Sequence, residues 1–143
     1  MNKKFKASIL LLCQISCEKS SEPLSSKYLA EKTSLTTRYA EQVLQNLVRN
    51  NILKGVRGAS GGYLLARERR KIYLDEIFRI SLAEGKEFKG HNDDISIIFN
   101  KIDVQLSSAI NDKLEKINLE QIYKNYSQNR LLKEDESKQD FVI

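Results

Sequence analysis

The sequence predicts a mainly helical fold that contains one small β-ribbon and ends in a long helix. Five segments of the 143-residue chain carry apolar side chains at helical spacing. Four of the six glycines lie within eight residues, starting at Gly55, and short apolar runs flank them. These features divide the chain into four parts: a first domain at 1–85, a linker at 86–94, helices at 95–126 and a charged tail at 127–143 that we expect to be mobile.

The first helix is predicted over residues 5–17, where apolar side chains surround nearly the whole circumference. A helix of this kind needs cover on more than one side. Its basic start and the apolar run at 9–13 imitate a secretory signal, but the run is too short for one. Because the chain has no run of about eighteen apolar residues, we expect a cytoplasmic protein with no membrane partner.

The next two helices are short and are joined by a tight turn. Ser25 or Ser26 caps the second helix, at residues 26–32, and Thr36 opens the third by accepting a hydrogen bond from the backbone of Tyr39. The apolar positions of the third helix follow helical spacing and face inward: Ala40, Val43, Leu44, Leu47 and Val48. Its outward face is polar: Thr37, Arg38, Glu41, Gln42, Gln45 and Arg49. This pair of helices indicates a helix-turn-helix.

The glycine-rich stretch predicts a β-hairpin, or wing, over about residues 53–66. Runs at 53–57 and 62–66 suit two strands, and the turn between them contains glycines, which tolerate positive φ. Arg57 lies at the tip, with Lys54 behind it. A phosphate-binding nucleotide loop is excluded, because the glycine spacing differs from GxGxxG and no helix follows directly. A helix-turn-helix followed at once by such a ribbon is a winged helix.

A basic cluster follows the wing and leaves two interpretations open. Its four residues either contact phosphate or form a solvated turn: Arg67, Arg69, Arg70 and Lys71. The helix after it, at residues 74–83, begins with Asp75 and Glu76. These carboxylates suit the positive end of the helix dipole and need no catalytic role.

The longest periodic segment begins at residue 95. Nine of its apolar side chains line one stripe: Ile95, Ile98, Phe99, Ile102, Leu106, Ala109, Ile110, Leu114 and Ile117. The first domain leaves too little apolar surface to cover so long a helix. We therefore expect a copy of the helix in a second chain to cover it, which gives a two-fold homodimer. A short final helix is predicted at 118–126.

Charge is distributed unevenly along the chain. Residues 1–72 carry 14 Lys and Arg against 5 Asp and Glu, whereas residues 73–143 carry 10 against 14. The first half therefore has a net charge of +9 and the second half one of −4. A positive first half favours contact with a polyanion.

With these features the chain resembles the family of winged-helix transcription regulators that includes IscR, NsrR and CymR. The resemblance rests on residues 28–32, 38–44 and 51–66, and above all on the wing pattern Arg-Gly-x-x-Gly-Gly-Tyr that starts at Arg57. It extends over about residues 5–85, and more loosely to about residue 126. It implies a dimeric regulator that binds double-stranded DNA at a palindromic site, and we expect a repressor.

The resemblance also implies which residues contact DNA, because the family's third helix enters the major groove. Glu41 would accept from a cytosine amino group, Gln42 would pair with adenine, and Arg38 would contact guanine or a phosphate. Arg57 would enter the minor groove, where narrow A·T tracts attract arginine. Tyr39 has an equally plausible packing role against the preceding turn. The predicted set is Thr36, Thr37, Arg38, Tyr39, Glu41, Gln42, Gln45, Lys54, Arg57 and Ser60.

Family members that bind an iron–sulfur cluster carry three cysteines after the fourth helix, and this chain departs from that pattern. Residues 85–105 contain no cysteine, so we expect no cofactor and no metal site. His91, the only histidine, lies in the polar linker, where we expect it to be solvated. Cys13 and Cys17 are either buried apolar side chains or a thiol switch. The regulatory signal is an unknown small molecule or protein, or there is none.

Two other classes of protein fit the sequence less well. A winged helix can bind a protein partner instead of DNA, but the positive charge of residues 1–72 favours DNA. An enzyme is not expected, because the chain has one histidine, no metal-ligand spacing and no nucleophile motif.

Overall fold

The structure is a computed structural model that describes residues 2–82 and 94–140. The described residues form six α-helices and one antiparallel sheet of two strands, which confirms the predicted fold class. Their order along the chain is α1 (Lys3–Cys17), α2 (Ser26–Thr33), α3 (Thr37–Arg49), β1 (Leu53–Val56), β2 (Gly62–Leu65), α4 (Leu74–Leu82), α5 (Asp94–Leu114) and α6 (Leu119–Asp140). A short 3₁₀ helix at Arg69–Lys71 connects the wing to α4.

The core is built around α1. Leu11 and Leu12 are fully buried, and α1 packs against α2, α3, α4, α6 and β2. Phe5 near its start meets Phe78 of α4 edge-to-face, with ring centroids 5.4 Å apart. Cover on several sides explains why apolar residues surround this helix and confirms the expectation drawn from its sequence.

Helices α2 and α3 form the predicted helix-turn-helix. The Ser25 side chain accepts from the backbone N–H of Tyr28 at 3.2 Å, and Thr36 Oγ1 accepts from that of Tyr39 at 3.3 Å. Ser34 ends α2 in the left-handed conformation, with φ of 57°. Two side-chain caps and one left-handed residue therefore fix the angle at which the chain enters α3.

The wing is a β-hairpin that is also tied to the segment before α2. Strands β1 and β2 pair in antiparallel register from Leu53 opposite Leu65 to Val56 opposite Gly62. Tyr63 also exchanges backbone hydrogen bonds with Leu24, one of 3.1 Å and one of 2.9 Å. The sequence did not predict this bridge, because a one-residue pairing leaves no periodic pattern. It anchors the wing next to the start of α2.

Three of the glycines meet distinct geometric needs in the wing. Gly58 has φ of +109°, which a side chain strongly disfavours. A Cβ atom at Gly61 would overlap the carbonyl oxygen of Val56, and one at Gly62 would overlap the backbone of Leu24. A sharp turn and two close backbone approaches therefore account for three of the four clustered glycines.

Helix α5 leaves its apolar stripe uncovered within the single chain. Several of its large side chains are exposed by 40% or more of their surface: Ile95, Ile98, Phe99, Ile102, Leu106 and Ile110. The end of the helix is better covered, since Leu114 packs against the core together with Ile117. The first domain thus covers only the carboxyl-terminal end of α5.

The last helix is longer than the sequence predicted. We expected a short helix at 118–126 and a tail from 127, but α6 continues to Asp140 and is 22 residues long. Asn118 and Gln121 cap it reciprocally, each side chain accepting from the other residue's backbone N–H. Once this start is fixed, a glycine-free and proline-free run rich in Lys, Glu and Leu extends the helix at little cost. Whether this part is mobile stays a prediction.

The predicted linker at 86–94 and His91 lie outside the described residues, apart from Asp94, which begins α5. In the part of the chain that the structure describes, no helix is both long enough and apolar enough to cross a membrane.

Candidate nucleic-acid interface

The polar face of α3 is open to solvent along its length. Burial of Ala40, Val43, Leu44 and Leu47 holds the opposite face against the core. The side chains that the sequence assigned outward are accordingly exposed: Thr37, Arg38, Glu41, Gln42, Gln45 and Arg49. Thr36, at the N-cap, is exposed as well, so α3 presents one continuous polar surface.

A groove of about 720 Å³ separates α3 from the wing. It brings together two residues of the predicted set, Gln45 of α3 and Arg57 of the wing, and adds Arg49 and Ser26. Lys54 and Ser60 are exposed on the wing but do not line the groove. Arg49 follows Gln45 by one helical turn, so its position on the same face of α3 could be predicted from helical spacing. Nothing local in the sequence marked Ser26.

Ion pairs divide the arginines into two groups. Arg67 pairs with Glu76 at 2.6 Å, Arg69 with Glu120 at 2.7 Å and Arg79 with Asp75 at 2.8 Å. Within residues 2–82 and 94–140, no ion pair neutralises the four others: Arg38, Arg49, Arg57 and Arg130. Three of these four arginines lie on α3 and the wing.

The basic cluster after the wing proves to be largely structural. Arg67 also donates to the backbone carbonyls of Asn51 and Lys71, and these bonds fix the backbone that follows β2. The Arg69 guanidinium lies 4.0 Å from the ring centroid of Tyr123 and donates to the carbonyl of Ser16. Both arginines thus join the wing to neighbouring helices. Arg70 remains exposed, with only a 3.7 Å contact to Glu68.

Glu41 is held at the edge of the groove by a residue of α2. Ser26 Oγ donates a hydrogen bond of 2.9 Å to Glu41 Oε1. Burial raises the pKa of the Tyr63 phenol, and the negative charge of Glu41 raises it further. The carboxylate therefore stands where α2, α3 and β2 meet.

Tyr39 is the one member of the predicted set that turns inward. Its ring packs against the core, and its hydroxyl is buried without a hydrogen-bond partner among the described residues. The ammonium group of Lys3 lies 5.4 Å from the ring centroid. Of the two roles left open by the sequence, the geometry favours packing for the ring and hydroxyl.

The two cysteines do not fit an iron–sulfur cluster. They are the only cysteines in the chain, and they lie four residues apart on α1. Cys13 is buried, and its burial, followed by the influence of Cys17, raises its pKa to about 12. A cluster takes several thiolates, and a thiol with this pKa is a poor source of one. The described residues also contain no group of three His, Cys, Asp or Glu side chains placed to hold a metal.

The two thiols are expected to differ sharply in reactivity. Alkylation by iodoacetamide at neutral pH should modify half-buried Cys17 in the folded protein and leave Cys13 unmodified, because the thiolate is the nucleophile and Cys13 forms almost none. Peptide mass spectrometry after timed alkylation measures both sites, and protein in urea provides the control in which both react. Equal rates at the two sites in the folded protein would contradict the assigned burial.

Comparisons with known proteins agree on one family. Residues 1–125 match Rrf2, described as an iron-dependent transcriptional regulator. The HTH-type transcriptional regulator IscR of Xenorhabdus nematophila is 25% identical over 132 residues, which cover 87% of this chain and 79% of that protein. The HTH-type transcriptional regulator CymR of Bacillus subtilis is 29% identical over 77 residues, 54% of this chain and 56% of that protein.

A solved structure supports the same relationship. T. potens IscR has a TM-score of 0.67 and 27% identity to this chain, covering 88% of it and 87% of the IscR chain. The relatives named above are transcriptional regulators and not enzymes. Because the family match spans 125 of the 143 residues, the chain belongs to the Rrf2 family of DNA-binding transcriptional regulators.

Proposed function

We propose that this protein is a homodimeric, sequence-specific repressor that reads an inverted repeat in DNA without an iron–sulfur cluster. The observation that supports it most is the groove that Arg49 of α3 and Arg57 of the wing both line. Neither arginine is neutralised by a described carboxylate, so both are available to DNA. We place the protein in the cytoplasm because it must reach chromosomal DNA.

In this proposal α3 enters the major groove and the wing enters the adjacent minor groove. Glu41 accepts from a cytosine amino group, Gln42 pairs with adenine and Arg38 contacts guanine or a phosphate. Arg57 reaches the minor groove, where a narrow A·T tract strengthens its attraction. The remaining contacts suit phosphates and fix the register without reading bases: Thr36, Thr37, Gln45, Lys54 and Ser60.

The homodimer is supported by the uncovered stripe of α5. Phe99 is 59% exposed and Leu106 57% exposed, and both lie on the same stripe. Contiguous apolar patches of this kind are uncommon on monomeric proteins, and a two-fold copy of the same helix would cover one. Two symmetry-related α3 helices would then read half-sites about one DNA turn, or roughly 34 Å, apart.

Selection from random duplex DNA tests the proposed function. The purified protein is used in air, without added iron, at moderate salt, and bound duplexes are amplified and sequenced. We expect one enriched inverted repeat with half-sites about one turn apart. Binding without enrichment that fades steeply with salt would indicate phosphate contact alone and contradict sequence-specific readout. It would favour the alternative, a winged helix that regulates through a protein partner.

Arg57→Ala should weaken binding mainly where the flanks of the site are rich in A·T. The expected loss is about tenfold on A·T flanks and clearly smaller on G·C flanks, because a wide minor groove attracts arginine less. Arg70→Ala is the control, since it removes the same charge from an exposed position outside the groove. Fluorescence anisotropy at one salt concentration measures both. Equal losses for the two variants, or equal losses on both flanks, would contradict the role of Arg57.

A further inference from the structure

We propose that Ser26 is a positioning residue that fixes the Glu41 carboxylate for base recognition and thereby sets specificity at one position of each half-site. The inference rests on the proposed function and deepens it. The predicted contact set contained no residue of α2, and Ser26 lies 15 positions before the residue that it holds. The link between them exists only in the folded protein.

The donor is held on a rigid support. Ser26 is the first residue of α2, and the backbone carbonyl of Ser25 just before it accepts a hydrogen bond of 3.0 Å from the backbone N–H of Leu29. The preceding residue, Leu24, is paired with Tyr63 of the wing through two backbone hydrogen bonds. These backbone contacts fix the position of the Ser26 backbone. The hydrogen bond to Glu41 orients the Ser26 hydroxyl and links it to α3.

Glu41 needs such support because its surroundings offer a competing partner. An exposed glutamate has three rotatable side-chain bonds, and ordering it costs conformational entropy. Arg38 lies three residues earlier on the same helix face, a spacing at which opposite charges pair. Among the described residues Arg38 and Glu41 form no such ion pair, and Ser26 binds the carboxylate instead. Arg38 thus stays available to DNA.

The hydrogen bond leaves the other carboxylate oxygen for a base. Ser26 occupies Oε1, and no described residue binds Oε2, which can accept from a cytosine amino group, the contact that a carboxylate makes in the major groove. Phosphates repel a carboxylate that is not held, and without Ser26 the side chain swings away from the bases. Loss of Ser26 should therefore remove discrimination while leaving most of the phosphate-based affinity in place.

The test measures base preference with the enriched inverted repeat and duplexes that carry each other base at every half-site position. Anisotropy titrations compare wild type with Ser26→Ala, Ser26→Thr, Glu41→Ala and the double variant Ser26→Ala/Glu41→Ala. At the position where Glu41→Ala abolishes discrimination, we expect Ser26→Ala to reduce it from about tenfold to about twofold. Affinity for the best site should fall less than about threefold. Ser26→Thr keeps the hydroxyl and should restore the preference, and the double variant should equal Glu41→Ala.

Ser25→Ala separates positioning from helix stability. It removes the cap of α2 but not the donor to Glu41, so it should lower the melting temperature and leave base preference unchanged. Ser26→Ala with wild-type discrimination, or with equal losses on all duplexes, would overturn the inference and leave the proposed function standing. If the wild-type protein selects no motif, the proposed function fails and the inference fails with it.

Discussion

Replacing Leu106 with glutamate is expected to convert the protein from a dimer to a monomer and to weaken binding to the inverted repeat by at least about a hundredfold. Leu106 is 57% exposed at the centre of the α5 stripe. In the proposed dimer this side chain lies against its copy, where an unpaired carboxylate would be buried without compensation. A monomer reads one half-site at a time and loses the gain that comes from linking two binding events.

Val104→Glu provides the matched control on the same helix. Val104 is 69% exposed, and two residues of helix place it on the opposite side from Leu106. Sedimentation velocity and anisotropy should show an unchanged dimer with nearly unchanged affinity. A Leu106→Glu protein that stays dimeric, or a Val104→Glu protein that dissociates as well, would contradict the assignment of the interface to this stripe.

Gly62→Ala is expected to destabilise the protein by roughly 3 kcal/mol and to displace the wing. The added Cβ would overlap backbone atoms of Leu24 and Ser25, which cannot rotate away as a side chain would. Relief requires the bridge between Leu24 and Tyr63 to open, with loss of its two hydrogen bonds. The wing then loses its anchor beside α2, and Arg57 loses its fixed position across from α3.

Gly55→Ala is the control for this change, because a Cβ at that position meets no atom within 4 Å. Thermal unfolding should show a fall in melting temperature on the order of 10 °C for Gly62→Ala and little change for Gly55→Ala. DNA affinity should follow the same order. If Gly62→Ala had the same melting temperature as the wild type, the backbone of Gly62 would lie further from Leu24 and Ser25 than in the structure.

The four helices α1 to α4 were predictable because each of them carries a local signal in the sequence. Regular apolar spacing in α3 identified the buried face and therefore the exposed one, and Thr36 marked the start of the helix. The extent of α6 was not predictable in the same way. Its charged second half has no apolar stripe, and the helix depends on a start fixed by Leu119 and by the Asn118–Gln121 pair.

The candidate interface was predicted in composition but not in its tertiary connections. Arg57 followed from the wing pattern, whereas the roles of Arg67 and Arg69 depended on carboxylates nine and 51 residues further along. Two further features also depend on tertiary packing. The Tyr39 side chain turns inward, and Ser26 binds Glu41, which lies 15 residues further along the chain. Periodicity specifies which face of an element is exposed, and only packing specifies what that face touches.

Mapping of backbone amide signals by NMR, with and without the selected duplex, tests whether α3 and the wing together contact DNA. We expect the largest shifts at residues 36–45 and 54–61, with small changes along α5, whose stripe is already covered in the dimer. Shifts concentrated on α5 or α6, with 36–45 unaffected, would contradict the claim and would assign DNA binding to a different surface.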